Sequence, residues 1–200
     1  MRITTGDGLS LEARLDEPVG EARGGVVLCH PHPSMGGTMN APFLDVMADR
    51  LASSGLIVLR FNTRGTGTSD GAFSQGVGEV NDLDAAWADL LERLAGRPAG
   101  LVGWSFGARL AMVHAQESAV PTALFAPPVS APPGWLPVLS WPSGPYIVVM
   151  GDRDRLIEIE AVEGHFGQAP IVLTGCDHFF IGRFGEIAAD LAVEFFSTRL

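Results

Sequence analysis

The sequence predicts an α/β domain built on a mostly parallel β-sheet. Short apolar runs rich in β-branched residues alternate along the chain with segments that have helical apolar spacing, a pattern typical of this class. Two of the runs, residues 25–29 and 56–61, are almost continuously apolar, as expected for strands that are covered on both faces. No linker or internal repeat is visible in the 200 residues, so we expect a single domain over residues 1–200.

The elements can be assigned in order along the chain. Residues 9–15 alternate between polar and apolar side chains, as an edge strand does. A helix over residues 41–54, ended by Gly55, connects the two buried strands. A second, amphipathic helix follows at residues 80–94. Its predicted apolar face carries Leu83, Trp87, Leu90, Leu91 and Leu94. The remaining elements are strands at residues 101–104, 122–126, 146–150 and 170–174 and a closing helix at residues 184–198.

Composition and charge favour an enzyme over a protein that binds polyanions. The chain is 46% hydrophobic and carries a formal net charge of -10, which repels nucleic acid and anionic membrane surfaces. We therefore expect a small, neutral substrate and neither a nucleic-acid nor a membrane partner. No apolar run approaches the roughly 20 residues that cross a bilayer, and the first residues lack the apolar core of a signal peptide. The expected location is the cytoplasm, and assembly into a homodimer stays open.

The sequence offers little support for a cofactor or a metal. The two cysteines, Cys29 and Cys176, have no metal-ligand spacing and are expected to be buried thiols. The glycine-rich segment 62–78 lacks the lysine and the spacing of a phosphate-binding loop. We expect no cofactor and no metal ion.

The most informative motif is Gly103-Trp104-Ser105-Phe106-Gly107, which follows a short strand and opens a helical segment. A tight turn between strand and helix lifts a serine hydroxyl out of the sheet, where a base can activate it. The flanking glycines leave room for neighbouring backbone that a larger side chain would crowd. The context therefore predicts that Ser105 is a nucleophile at the tip of a strained turn.

A nucleophilic serine needs a base, and chain order selects it. In α/β enzymes with this turn the order along the chain is serine, acid, histidine, which leaves His165 and His178 among the five histidines. His178 directly follows the strand at residues 170–174, at the carboxyl edge of the sheet where open α/β domains place their sites. We favour His178 over His165.

The acid that orients the base is expected after the strand at residues 146–150. Asp152 leaves this strand at once and could cap the following turn, whereas Asp154 lies farther out on the loop, toward the histidine. We favour Asp154 and keep Asp152 as the alternative. Asp177 adjoins His178 and is interpreted as a loop carboxylate, because neighbouring side chains rarely face each other.

Two backbone donors are needed for the tetrahedral intermediate. One is the N–H of Phe106, directly after the nucleophile. The other should come from the loop after the strand at residues 25–29, where prolines 31 and 33 have no N–H to donate. His32 is the first candidate, with Ser34 and Met35 as alternatives. The imidazoles of His30 and His32 are expected to shape this loop.

Together these motifs resemble the α/β-hydrolase family, and the chain is most similar to small, lidless bacterial hydrolases of the dienelactone-hydrolase and short-esterase type. The matching segments are residues 30–33 with 36–37, 60–62 with 64–65 and 67, 103–107, 151–154 and 177–180. The resemblance implies the α/β-hydrolase fold, with about seven to eight mostly parallel strands, helices on both faces and no lid domain. Dienelactone hydrolases carry a cysteine nucleophile, so Ser105 argues against that specific activity.

Carried over to this sequence, the resemblance implies a triad of Ser105, Asp154 and His178, with Phe106 and His32 as oxyanion donors. The implied activity is a serine hydrolase that cleaves small acyl esters through an acyl-enzyme. Thioesterase, amidase and acyltransferase chemistry remain alternatives, as does a non-catalytic binding module of the same fold.

Substrate selection in this fold depends on the segment before the strand at residues 146–150. Residues 127–145 contain seven prolines and cannot build a helical lid. Their apolar side chains are expected to line an apolar pocket over Ser105 or to cover the sheet. These side chains are Trp135, Leu136, Leu139 and Trp141. In the segment 62–78 and just beyond it, Arg64 and Glu79 are expected to tie the loop to the strand that precedes the oxyanion loop.

Overall fold

Eight strands form one sheet in the residues that the computed structural model describes, 1–137 and 140–200. The strands are β1 (Arg2–Thr4), β2 (Ser10–Asp16), β3 (Gly24–Cys29), β4 (Leu56–Phe61), β5 (Ala99–Trp104), β6 (Thr122–Phe125), β7 (Tyr146–Gly151) and β8 (Ile171–Leu173). The helices are α1 (Pro42–Ser53), α2 (Glu79–Leu94), α3 (Phe106–Glu117), α4 (Ile159–Phe166) and α5 (Arg183–Ser197), and a short 3₁₀ turn spans Pro33–Met35.

The sheet is mostly parallel, as the alternation of strands and helices predicts. Its order is β1-β2-β4-β3-β5-β6-β7-β8, in which only β1 and β2 run antiparallel to their neighbours. Strands β3 and β4 are buried along their whole length, which explains their continuous apolar sequences. The eight-stranded α/β fold that the sequence predicts is therefore confirmed.

Helices cover both faces of the sheet, and each face has its own apolar core. On one face, α2, α3 and α4 pack against the sheet through side chains such as Leu90, Phe106 and Val162. On the other face, α1 and α5 pack against it through side chains such as Leu44 and Ala189. The site-bearing loops must therefore emerge at an edge of the sheet, because both faces are occupied.

Two details of the sequence interpretation are wrong. Strand β2 is not an edge strand, because β1 pairs on its outer side, with Ile3 opposite Leu11. On α2, Leu91 is 43% exposed, and Ala86 is buried in the apolar face instead. Adjacent residues on a helix point about 100° apart, so Leu90 and Leu91 do not both face the core.

The two cysteines lie far apart in the sheet. Cys29 ends β3 and Cys176 follows β8, and strands β5, β6 and β7 lie between them. Both are buried free thiols, as expected. Burial raises the pKa of Cys29, and burial together with nearby carboxylates raises the pKa of Cys176 to about 11. Neither thiol is therefore set up as a thiolate nucleophile.

The proline-rich connection between β6 and β7 contains no helix or strand in its described residues, 126–137 and 140–145. The buried Arg109 of α3 holds it down by donating to backbone carbonyls of Pro128, Ser130 and Leu136. The region above Ser105 thus has no helical lid in the described residues. Among those same residues, no helix is both long and apolar enough to cross a membrane.

Candidate active site

Ser105 lies at the turn between β5 and α3, in a backbone conformation that residues other than glycine rarely adopt. Its φ is 54° and its ψ is -118°, which is costly for any residue other than glycine. The Ser105 N–H donates to the Phe125 carbonyl of the neighbouring strand at 2.9 Å. The sheet therefore holds this strained turn in place.

Close backbone contacts explain the glycines on either side of Ser105. A Cβ at Gly103 would lie 2.5 Å from the Cα of Ala108 in the following helix. A Cβ at Gly107 would overlap the backbone of Cys29 and His30. The close backbone contacts expected from the motif are present. Because the two glycines have no Cβ, α3 can begin directly against the loop that follows β3.

The structure brings Ser105, His178 and Asp154 into one hydrogen-bonded chain. His178 Nε2 lies 3.0 Å from Ser105 Oγ, and His178 Nδ1 lies 2.7 Å from Asp154 Oδ2. The side chain of Asp154 is fully buried, and the side chain of His178 is nearly so. The carboxylate acceptor requires a proton on Nδ1, so Nε2 of the neutral ring faces the hydroxyl as an acceptor.

The carboxylate of Asp154 is held ionised by its hydrogen bonds. Burial raises the pKa of this group, but the bonds from His178 and from the N–H groups of Leu156 and Ile157 outweigh it, so the pKa lies below its ordinary value. These two N–H groups donate to Oδ1 at 2.8 and 2.9 Å, which leaves Oδ2 for the imidazole. Asp154 is therefore a fixed negative charge behind His178.

The alternatives to His178 and Asp154 lie elsewhere. Asp152 Oδ1 accepts the N–H of Gly175 at 2.6 Å and so links the loops after β7 and β8. Asp177 Oδ1 accepts the N–H of Phe179 at 3.0 Å, as a loop carboxylate would. His165 belongs to α4 and packs edge-on against Phe166, with 5.2 Å between ring centroids.

The loop that carries His178 is anchored to the nucleophile turn. Trp104, the residue before Ser105, donates its indole N–H to the His178 carbonyl at 3.0 Å. The Arg153 N–H donates to the Cys176 carbonyl at 2.9 Å. Hydrogen bonds therefore link the loop after β8 both to the turn after β5 and to the loop after β7.

Of the backbone N–H groups considered as donors near Ser105, two already have acceptors and two do not. The Ser34 N–H donates to His32 Nδ1 at 3.1 Å, and the Met35 N–H donates to the His32 carbonyl at 3.1 Å. Both alternatives to His32 are thus occupied within the 3₁₀ turn. The N–H groups of Phe106 and His32 have no acceptor among residues 1–137 and 140–200.

The rings of His30 and His32 shape the loop, as expected. His30 is buried, accepts the Thr63 N–H at Nε2 (3.0 Å) and donates from Nδ1 to the Pro31 carbonyl (2.7 Å). Burial lowers the pKa of His30 to about 4, so it stays neutral near pH 7. The ring of His32 packs against Phe73 and Trp135, with centroids 4.9 and 5.2 Å away.

A pocket of about 180 Å³ opens beside Ser105. It is lined by Pro31, His32, Met35, Gly36, Gly37, Ala41, Pro42, Trp104, Ser105, Leu156, His178 and Phe179. Several of these residues lie within one or two positions of predicted site residues along the chain. Leu156 comes two positions after Asp154 and Phe179 one after His178, and this proximity is the signal that could have identified them.

The side chains expected to line this pocket are placed differently. Trp135 packs beneath the loop against His32 and Phe106, and Leu136 packs with it against the core of that face. Trp141 is 53% exposed and lies outside the pocket lining. The described parts of the proline-rich segment therefore pack, through Trp135, against His32 in the loop that follows β3, and they do not line the pocket. Leu139 lies outside the described residues.

The segment 62–78 is tied down differently from the expectation. Arg64 pairs with Asp82 of α2 and with Asp7, at 2.7 and 3.0 Å. Glu79 accepts hydrogen bonds from Ser74 and from the Gly76 N–H. Both residues therefore tie the segment to α2, and His30 makes the link to β3 through Thr63. Within residues 1–137 and 140–200, no group of three or more His, Cys, Asp or Glu side chains is placed to hold a metal ion.

Comparison with known families identifies one match over most of the chain. The profile of a family described as "Alpha/beta hydrolase domain" matches residues 23–183. An uncharacterized protein of Rickettsia prowazekii is 31% identical over 168 residues, which are 77% of this chain and 71% of the relative.

Solved structures with the same fold include two related serine hydrolases. An α/β serine hydrolase homologue from Coxiella burnetii is 34% identical, with a TM-score of 0.86 over 97% of this chain and 95% of its own. A lidless α/β serine hydrolase from Xanthomonas campestris is 26% identical, with a TM-score of 0.84 over 100% of this chain and 94% of its own.

Proposed function

Because the chain belongs to the α/β-hydrolase family, we propose that it is a serine hydrolase that cleaves small acyl esters through an acyl-enzyme. The observation that carries the proposal is the chain of hydrogen bonds from Ser105 through His178 to Asp154, with contacts of 3.0 and 2.7 Å. These distances fit a nucleophile, a base within reach of it and a carboxylate that orients the base.

In the proposed reaction, Ser105 Oγ attacks the ester carbonyl while His178 Nε2 takes its proton. His178 then returns that proton to the leaving alcohol, and the acyl group stays on Ser105. A water molecule, deprotonated by the same nitrogen, releases the acid and restores the hydroxyl. Asp154 stays ionised throughout and stabilises the imidazolium, which agrees with its lowered pKa.

The oxyanion of each tetrahedral intermediate is assigned to the N–H groups of Phe106 and His32. Both lack acceptors among the described residues, and Phe106 is the first residue of α3, where the helix dipole favours negative charge. The His32 N–H is kept in place by the 3₁₀ turn and by the packing of the His32 ring. This ring contacts Phe73, Phe106 and Trp135. Preorganised donors need no rearrangement when the charge develops.

A fluorophosphonate probe tests this proposal directly. The probe reacts with an activated serine, so peptide mass spectrometry should find the modification on Ser105 and the protein should release p-nitrophenol from p-nitrophenyl acetate. Absence of both labelling and turnover would show that the fold serves as a binding module instead.

The roles of the two competing carboxylates can be separated by matched variants. Asp154→Asn should lower kcat for p-nitrophenyl acetate by about 10⁴-fold, because the amide N–H group favours the histidine tautomer whose Nε2 cannot accept the serine proton. Asp152→Asn should keep kcat within about threefold, since an amide oxygen can still accept the Gly175 N–H. Steady-state kinetics on both variants would contradict the assignment if the larger loss came from Asp152→Asn.

The small pocket beside Ser105 predicts a preference for short acyl chains. With the same p-nitrophenol leaving group, kcat/KM for the acetate ester should exceed that for the octanoate ester by about tenfold, which corresponds to about 1.4 kcal/mol. Pro42→Ala, which widens the pocket, should narrow this ratio, and Trp141→Ala, outside the pocket, should not. Faster hydrolysis of octanoate by the unaltered protein would refute the preference.

A further inference from the structure

Two arginines beside the candidate active site have no protein partner. All 13 cationic side chains of this acidic chain are arginines. Ten of them form hydrogen bonds or ion pairs with protein oxygen atoms, and Arg183 lies over the Phe184 ring. Arg153 and Arg155 are exposed, and their guanidinium groups make no hydrogen bond or ion pair with the described residues. In a chain with a net charge of -10, two such cations in one loop need an explanation.

Both arginines line a groove that continues from the pocket beside Ser105. The groove has a volume of about 420 Å³ and is lined by Met35, Arg153, Arg155, Leu156, Asp177, His178 and Phe179. Four of these residues, Met35, Leu156, His178 and Phe179, also line the pocket at Ser105. A molecule bound at Ser105 can therefore extend past His178 and reach the two guanidinium groups.

The charges and side chains in this groove define what it can bind. Its lining carries two guanidinium groups and the carboxylate of Asp177, which already accepts the Phe179 N–H. The local excess is one positive charge, which matches a monoanion such as a carboxylate. Between the arginines and Ser105 lie the exposed apolar side chains of Met35, Leu156 and Phe179. These suit an apolar or aromatic stem that carries the anionic group.

The chemistry of the triad decides which half of the substrate lies in the groove. His178 must return its proton to the leaving oxygen, so the alcohol half leaves from the side of the imidazole. His178 lines both the pocket at Ser105 and the groove. We propose that the substrates are esters whose alcohol half carries a carboxylate, bound by Arg153 and Arg155. This inference rests on the proposed ester hydrolysis, and it replaces the neutral substrate that the net charge of the chain suggests.

Paired substrates can test the inference. The anionic ester 4-acetoxybenzoate and its neutral counterpart methyl 4-acetoxybenzoate release phenols that differ only in a methyl group on the carboxylate, and comparison across variants cancels their different intrinsic reactivities. In the double variant Arg153→Gln/Arg155→Gln, the ratio of kcat/KM for the anionic ester to that for the neutral ester should fall about tenfold, since two exposed ion pairs with the substrate carboxylate are lost. Arg93→Gln removes one exposed charge from α2 and should leave the ratio unchanged.

Salt and a third substrate sharpen the test. Added NaCl should lower the ratio of kcat/KM for the anionic ester to that for the neutral ester in the unaltered protein and in Arg93→Gln. The decrease should be much smaller in the double variant. For mono-4-nitrophenyl succinate, which carries its carboxylate in the acyl half, the ratio to p-nitrophenyl acetate should not depend on the two arginines. A loss confined to the succinate ester would overturn the assignment to the alcohol half.

The failure of this inference can be distinguished from the failure of the proposed function. If the protein hydrolyses both acetoxybenzoates and the double variant keeps their ratio, the arginine site is refuted and the hydrolase proposal stands. If the unaltered protein hydrolyses none of the esters and Ser105 takes no fluorophosphonate label, both proposals are refuted.

Discussion

Replacement of Ser105 by alanine should lower kcat for p-nitrophenyl acetate by at least about 10⁴-fold, with KM little changed. The substitution removes the oxygen that lies 3.0 Å from His178 Nε2, and with it the covalent route. The backbone donors at Phe106 and His32 remain, so a small residual rate above that of water is expected. Burst-phase and steady-state release of p-nitrophenol measure this loss.

The strained backbone at Ser105 makes alanine a clean test of the hydroxyl. Alanine keeps the Cβ, so the unfavourable φ of 54° is the same in both proteins and the turn should retain its shape. Ser197→Ala, which removes an exposed hydroxyl at the end of α5, serves as the matched control and should retain full activity. Ser105→Ala with more than about a tenth of the original kcat and an unchanged melting temperature would exclude Ser105 as the nucleophile.

The buried strands and the longer helices could be predicted well because their burial leaves a periodic signal. Strand β4 has the predicted bounds, Leu56–Phe61, since each of its residues is buried. Strand β1 was missed because it has three residues, of which only Ile3 is buried, too few for any pattern. That omission alone explains why β2 was assigned to the edge of the sheet.

The position of the candidate site followed from the sequence, whereas its pocket did not. Chain order and the edge rule for α/β sheets depend only on topology, and they led to Ser105, His178 and Asp154, which the structure joins in one chain of hydrogen bonds through His178. The direction of a loop side chain depends on its neighbours in three dimensions. The sequence leaves Trp135 either lining a pocket over Ser105 or covering the sheet, and in the structure its ring packs against His32 and Phe106, outside the pocket lining.

The Arg64–Asp82 pair should be one of the most important polar contacts for stability. Its side chains are only 10% and 0% exposed, and Asp82 also accepts the Arg64 backbone N–H at 2.8 Å. Asp82→Asn keeps the shape of the side chain but removes its negative charge. The amide then presents either an N–H group or a single acceptor oxygen to the Arg64 guanidinium group. Loss of the buried carboxylate leaves the Arg64 charge only partly compensated, because the partly exposed Asp7 remains as its partner. We therefore expect the free energy of unfolding to fall by about 3 kcal/mol, the lower end of the range for a broken buried pair.

Urea unfolding of Asp82→Asn and of Asp89→Asn gives a matched comparison on one helix. Asp89 pairs with Arg93 on the surface of α2, and its replacement should cost no more than about 0.5 kcal/mol. Equal midpoints for the two variants would refute a special role for the buried pair.

The same substitution should also reach the candidate active site, because Arg64 adjoins Thr63. The Thr63 N–H donates to His30, and His30 in turn donates to the Pro31 carbonyl in the loop that follows β3. Replacing both charged partners, as in Arg64→Met/Asp82→Leu, removes the uncompensated charge and should recover part of the lost stability. If esterase activity fails to recover along with stability, the guanidinium group positions the loop through Thr63 and His30. If the two recover together, the pair acts on the site only by keeping the protein folded.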